Sequence, residues 1–169
     1  MSTATLLLSL FKHKAWANQE LLAALKPIDG TAHQAELHGC LRILNHIYVV
    51  DRIFAAHLGG EAHQYTATNT PETPPLEQLR AAVQETDRWF VATIPALSPQ
   101  DLAENIEFAF TDGALGRMSR EEMLAHVASH GAYHRGAVGR IMTELSIAPP
   151  RDIFTVYLHQ SEPARRERP

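Results

Sequence analysis

The chain carries ten histidines in 169 residues, on the order of two to three times ordinary usage. Imidazole is the commonest metal-binding side chain and titrates near neutral pH. His130 and His134 lie four residues apart. On a helix that spacing stacks both rings on one face, within reach of a single ion. At ~100° per residue they fall in the middle of an apolar sector made by Met123, Val127, Val138, Ile141 and Leu145. Burying two imidazoles there is costly unless their ring nitrogens are satisfied, and a metal satisfies them directly. The third ligand must come from another helix. His46 is the candidate, on a stripe with Ile43, Val50, Phe54 and His57. Three neutral imidazoles leave coordination positions open for water or substrate. Their softness favours zinc or nickel, with ferrous iron or copper as further options, over magnesium or calcium.

His126 extends the series to His-x3-His-x3-His. It lies ~12 Å along the helix axis from His134, too far for one ion to take both. It is read as a supporting or structural residue. His57 is nearly three turns from His46 and reads as a boundary histidine. His13, His33, His38, His63 and His159 read as surface or loop residues. Competing site types are missing. There is no His-Glu-x-x-His for a zincin protease, no pair of Glu-x-x-His segments for a di-iron bundle, and neither a Gly-x-Ser-x-Gly elbow nor a P-loop.

The elements that must position these histidines are helical. Leu7, Phe11, Ala15, Asn18, Leu22 and Leu25 recur at three- and four-residue spacing, predicting a first helix over about residues 3–26, stopped by Pro27 and Gly30. A second spans about 34–58 and ends at Gly59-Gly60. It is apolar over so wide a sector that it must be buried on more than one face, and this predicts a homodimer. After a Gly- and Pro-containing loop, Thr73-Pro74-Pro75 opens a third helix along Leu76, Leu79, Val83, Phe90 and Ile94, ended by Pro95 and Pro99. Residues 104–118 alternate at Ile106, Phe108 and Phe110 around Asp112-Gly113, the pattern of a short β-hairpin. Ser119-Arg120-Glu121-Glu122 is a capping box starting a fourth long helix, to about Leu145. Asp152–His159 reads as a short fifth helix, and the charged tail 164–169 as frayed. The expected fold is all-α: a single domain over 1–169, a four-helix bundle with a hairpin before its last long helix.

Hydrophobic residues make up 45% and charged residues 20%, a globular balance, and the formal net charge is −4. No basic stripe with interleaved aromatics argues for nucleic acid. The opening apolar run Leu6–Phe11 is too short to span a bilayer. One cysteine, Cys40, excludes an internal disulfide and fits a reducing cytoplasm.

Three segments together resemble the DinB (damage-inducible) superfamily, which includes the YfiT-like proteins. They are Leu10–Asn18 with its Trp16-Ala17-Asn18, Leu44–Phe54 with His46-x4-Asp51-Arg52-Ile53-Phe54, and His126–Gly136 with His130-x3-His134-Arg135-Gly136. Asp112-Gly113 and Asp152-Ile153-Phe154 also fit. His13 stands where a tyrosine is common. The resemblance implies a four-helix bundle, frequently dimeric, with His46, His130 and His134 holding nickel or zinc. Characterised members of the family that the chain resembles include thiol-dependent S-transferases and a thiol-dependent maleylpyruvate isomerase, and many members have no assigned activity. Asp51 points away from His46 on the helical wheel and reads as a tie between helix two and a neighbour. Tyr133 and Arg135 flank the histidines, as ligand contacts or surface residues.

Three functions are then open: a metal-dependent transferase using a low-molecular-weight thiol, a metal-dependent hydrolase, and a non-catalytic metal-stabilised stress protein. The first is the leading expectation, with a small-molecule thiol as partner and no nucleic acid or membrane.

Overall fold

A computed structural model describes residues 2–165. It is mostly helical, with one two-stranded sheet. Helix α1 is Thr3–Leu25, α2 Gln34–Gly59, α3 Leu76–Thr93 and α5 Arg120–Glu144. These four long helices form a closed circuit of contacts: α1 packs on α3 and α5, and α2 packs on α5 and α3. No helix among the described residues is long and apolar enough to cross a membrane.

Local chemistry explains the boundaries. Ser2 caps α1 by accepting from the Thr5 N–H. Gly60, at φ +70°, supplies the left-handed residue that ends α2. Helix α3 begins at Leu76 rather than at the preceding prolines, because Pro75 is extended and serves as the N-cap. Ser119 and Glu122 form the expected capping box at the start of α5. A second capping box, Ser98 with Asp101, starts a short helix α4, Pro99–Ala103, which the sequence reading passed over. The sixth helix, Phe154–Ser161, starts two residues later than expected. Residues 166–169 of the charged tail lie outside the described residues.

The expected hairpin is present. Strands β1, Asn105–Ala109, and β2, Leu115–Ser119, pair antiparallel with Ile106 opposite Met118 and Phe108 opposite Gly116. Gly113, at φ +87°, turns the chain. Because Ser119 both ends β2 and caps α5, the hairpin sets where α5 begins.

Two apolar clusters fill the interior. One gathers Phe11, Phe54, Phe90, Phe108, Met123 and Val127 near the hairpin. The other gathers Leu22, Leu25, Cys40, Leu44, Leu79, Val138 and Met142. Between them along the helices lies a buried polar layer. Lys14 Nζ donates to Asp51 Oδ2 at 2.5 Å and to Asp87 Oδ1 at 2.8 Å. Asn18 bridges onward, donating to Asp87 Oδ2 at 2.9 Å and accepting from Arg135 Nη1 at 3.2 Å. Arg135 Nε then donates to Asp152 Oδ2 at 2.7 Å. Gly131 makes room for this layer: a Cβ there would lie 3.1 Å from Arg135 Nη1 and 3.4 Å from Lys14 Cε.

Candidate metal centre

His46 projects from mid-α2, and His130 and His134 from successive turns of α5. The α2–α5 contact brings the three together. Ring centroids are 4.9 Å apart for His46–His130, 4.6 Å for His46–His134 and 4.5 Å for His130–His134. One ring nitrogen from each residue lies within 4.8 Å of the others, and the Nε2 atoms of His46 and His130 are 3.0 Å apart.

The tautomer of His46 follows from a single contact. Its Nδ1 lies 2.7 Å from the Thr68 carbonyl oxygen. A carbonyl can only accept, so Nδ1 carries the proton and, in the neutral ring, Nε2 presents a lone pair toward His130 and His134. The Thr68 carbonyl is held there by a strap along α2. Arg42 donates to the Thr70 carbonyl at 2.6 Å, Asn45 donates to Asn69 and to Thr70 Oγ1, and Asn69 donates back to the Arg42 carbonyl at 3.0 Å. Burial, reinforced by the charges of His134 and His46, pushes His130 down to about 3. Burial and then His46 lower His134. At neutral pH both rings are therefore in the uncharged form that a metal requires. His130 Nδ1 is buried without a partner among the described residues, a position a water could answer.

The wheel placed His130 and His134 in the middle of the core sector. The structure puts both at its rim, half-buried, while Met123, Val127, Gly131, Arg135, Val138 and Met142 form the buried stripe of α5. The site is thus a seam between α2 and α5 rather than an enclosed core. His126 does not join the group. Its ring packs on Phe54 at 4.7 Å and lies 5.4 Å from His130.

Two surface readings need correction. His13 is buried, with Nε2 3.0 Å from Asp152 Oδ1 and its ring against Trp16, Phe154 and Tyr157. Helix α6 covers it, and nothing local in the sequence says where α6 docks. Arg135 is only 3% exposed and is consumed by Asp152 and Asn18. Tyr133, by contrast, is 78% exposed. Asp51 is the tie between helices that the wheel implied, bound to Lys14 of α1. Cys40 is buried, and burial pushes its thiol up to about 11, so it is no nucleophile at neutral pH.

The sequence reading missed Lys14 and Asp87 altogether. A signal was there: Asp87 follows Val83 by four and precedes Phe90 by three, which puts a carboxylate on the core stripe of α3. Burial works to raise Asp152, yet the close His13 ring and the hydrogen bond and charge of the Arg135 guanidinium outweigh it and hold the carboxyl at about 2. Since that lies below the ordinary value of 3.8, the stability it confers is present above about pH 4 and lost as pH falls toward 2. The gap in melting temperature between wild type and Asp152→Asn should therefore be widest at pH 5–7 and shrink steadily below about pH 4. A pH-independent gap in thermal melts would show that the ion pair contributes nothing.

Comparison with known proteins agrees with these features. The model of the DinB family matches residues 1–167. The chain is similar to "Protein DinB" of Bacillus subtilis (strain 168), 20% identical over 166 residues that cover 90% of this chain and 94% of that protein. No solved structure matches. With its histidine group in place and the family model spanning nearly its whole length, the chain belongs to the DinB family.

Proposed function

We propose that this protein holds one divalent metal ion through His46, His130 and His134, and that it is a metal-dependent transferase working with a low-molecular-weight thiol. The observation that carries the reading is the convergence of three ring nitrogens, with His46 locked in the tautomer that offers Nε2. Metal–nitrogen bonds of about 2.0–2.1 Å in a tetrahedral site set donor atoms about 3.4 Å apart. The 3.0 Å between His46 Nε2 and His130 Nε2, with all three donors inside 4.8 Å, needs only small side-chain adjustment to meet that spacing. The donor set suits zinc or nickel best.

When bound, such an ion supplies Lewis acidity that lowers the pKa of a coordinated thiol or water. The protein's own residues do the remaining work. Three neutral imidazoles leave the +2 charge uncompensated, and no carboxylate joins the group among the described residues. An anionic ligand such as a thiolate is therefore favoured over a neutral one. A hydrolytic water would need a base beside the ion, and the group of three holds no carboxylate to serve as one. The half-buried His134 and exposed Tyr133 leave the outer side of the seam open to a small molecule.

In the same reading the circuit of four long helices is a four-helix bundle, and two copies form a homodimer. The surplus apolar residues of α2 support the dimer, since Leu41, Ile43 and Tyr48 stay only partly buried in one chain. The deciding experiment is metal analysis of untagged protein, followed by calorimetric titration with glutathione, bacillithiol and mycothiol. One zinc or nickel per chain and saturable binding of one thiol to the metal-loaded form are expected. Thiol binding of equal strength in metal-free protein would overturn the mechanism, and metal without any thiol binding would leave a stabilising role.

A further inference from the structure

A second histidine pair lies at the other end of α2. His57 sits in the last turn of that helix, and His63 in the loop just past the Gly59-Gly60 cap. Their ring centroids are 5.0 Å apart, and the rings meet edge to face at 73°. His57 Nε2 and His63 Nδ1 are both buried, and neither has a hydrogen-bond partner among the described residues. One unsatisfied buried nitrogen costs roughly 1–3 kcal/mol. Two on adjacent imidazoles are a paired deficit, and a divalent ion is a group that accepts both lone pairs at once. The pair lies about three helical turns from His46, ~16 Å along α2, so the ion of the three-histidine group cannot serve it.

We propose that His57 and His63 form a second, separate site for a borderline divalent cation such as Cu2+, Ni2+ or Zn2+. The site clips the start of the 60–75 loop to the C-terminal end of α2. Room for further ligands exists beside it. A cavity of about 380 Å³ is lined by Arg52, Glu61, His63, Tyr65 and Trp89, so water can complete the coordination. Burial, and then His63, lower the pKa of His57, which keeps its ring in the neutral, ligating form at neutral pH. The clip has a structural consequence. The loop it pins is the one whose Thr68 carbonyl orients His46, so occupancy at one end of α2 restrains the segment that shapes the seam at its middle. The site shares no residue with the three-histidine group, so its test does not depend on the function proposed above.

The test uses the full chain carrying His130→Ala and His134→Ala, titrated with Cu2+ by calorimetry. One equivalent should still bind. That equivalent should disappear when His63→Ala is added, and again when His57→Gln is added instead. His63 lies in a loop, so its replacement leaves the helices intact, which circular dichroism checks. Limited proteolysis provides a second reading: Cu2+ should slow cleavage within residues 61–75 in the doubly substituted chain and have no effect once His63→Ala is present. Absence of saturable binding in the doubly substituted chain would overturn the proposal, as would binding that is indifferent to both His57 and His63.

Discussion

Lys14→Met is expected to destabilise the protein by ~3–5 kcal/mol, lowering its melting temperature by on the order of 10 °C. The methionine matches the lysine stem in length, so the loss isolates the charge. Lys14 is 1% exposed and is the ammonium between Asp51 and Asp87. Burial opposes its charge, but the two carboxylates more than compensate and raise its pKa. Burial likewise pushes Asp51 up to about 6 despite the lysine beside it. Without the ammonium, two carboxylates are left facing each other in the core, and one must take up a proton. The loss should therefore be smaller at pH 5 than at pH 8, and Asp51→Asn should recover part of it in the Lys14→Met background. Thermal melts of the two variants at both pH values decide the matter. A loss under about 1 kcal/mol would mean that water reaches and screens the layer.

The second large effect concerns the histidine seam. His134→Ala is expected to weaken metal retention by more than the roughly 10–100-fold that follows loss of an outer supporting partner, and to remove thiol binding with it. His126→Ala should leave metal retention intact, because its ring packs on Phe54 and lies outside the group of three. His134 is half-buried at the rim of α5, so its removal leaves the core packing of Val127, Val138 and Met142 undisturbed. Loss of metal can then be read as loss of a ligand rather than of the fold. Metal content after exhaustive dialysis, measured on both variants beside wild type, checks it. Equal retention in His134→Ala would remove that residue from the ligand set.

The helices, the hairpin and the His130–His134 pair were legible because each rests on local patterning, whereas His46, 84 residues from His130, was joined to them by its mid-helix stripe and by the family resemblance. Capping residues, apolar periodicity and a four-residue repeat are all contained within a few turns of chain. The polar layer was not legible, because its partners lie far apart in sequence. Lys14 reaches Asp51 across 37 residues and Asp87 across 73, and Arg135 reaches Asn18 across 117. Counting apolar residues treats Lys14, between His13 and Ala15, as one more surface charge. Only the meeting of α1, α2 and α3 makes it a core residue. His13 was misplaced for a related reason: α6 buries it, and where α6 docks is settled by tertiary contacts such as those of Phe154 and Tyr157 with the His13 ring. The wheel overestimated the depth of His130 and His134, both of which are half-buried. The true centre of the buried stripe contains Gly131 and Arg135, residue types that an apolar count ignores.

The group that orients His46 is a main-chain carbonyl, that of Thr68. Every residue type carries the same oxygen, so the side chain at position 68 is free to drift without changing the imidazole's tautomer. What holds that oxygen in place lies next door, in the bonds of Asn69 and Thr70 to Arg42 and Asn45. Replacing Asn45 and Asn69 by alanine would release the carbonyl from the ring while leaving every histidine in place. A descendant of this protein could then keep an intact histidine signature and yet have lost its preorganised His46, and sequence comparison by motif alone would not notice.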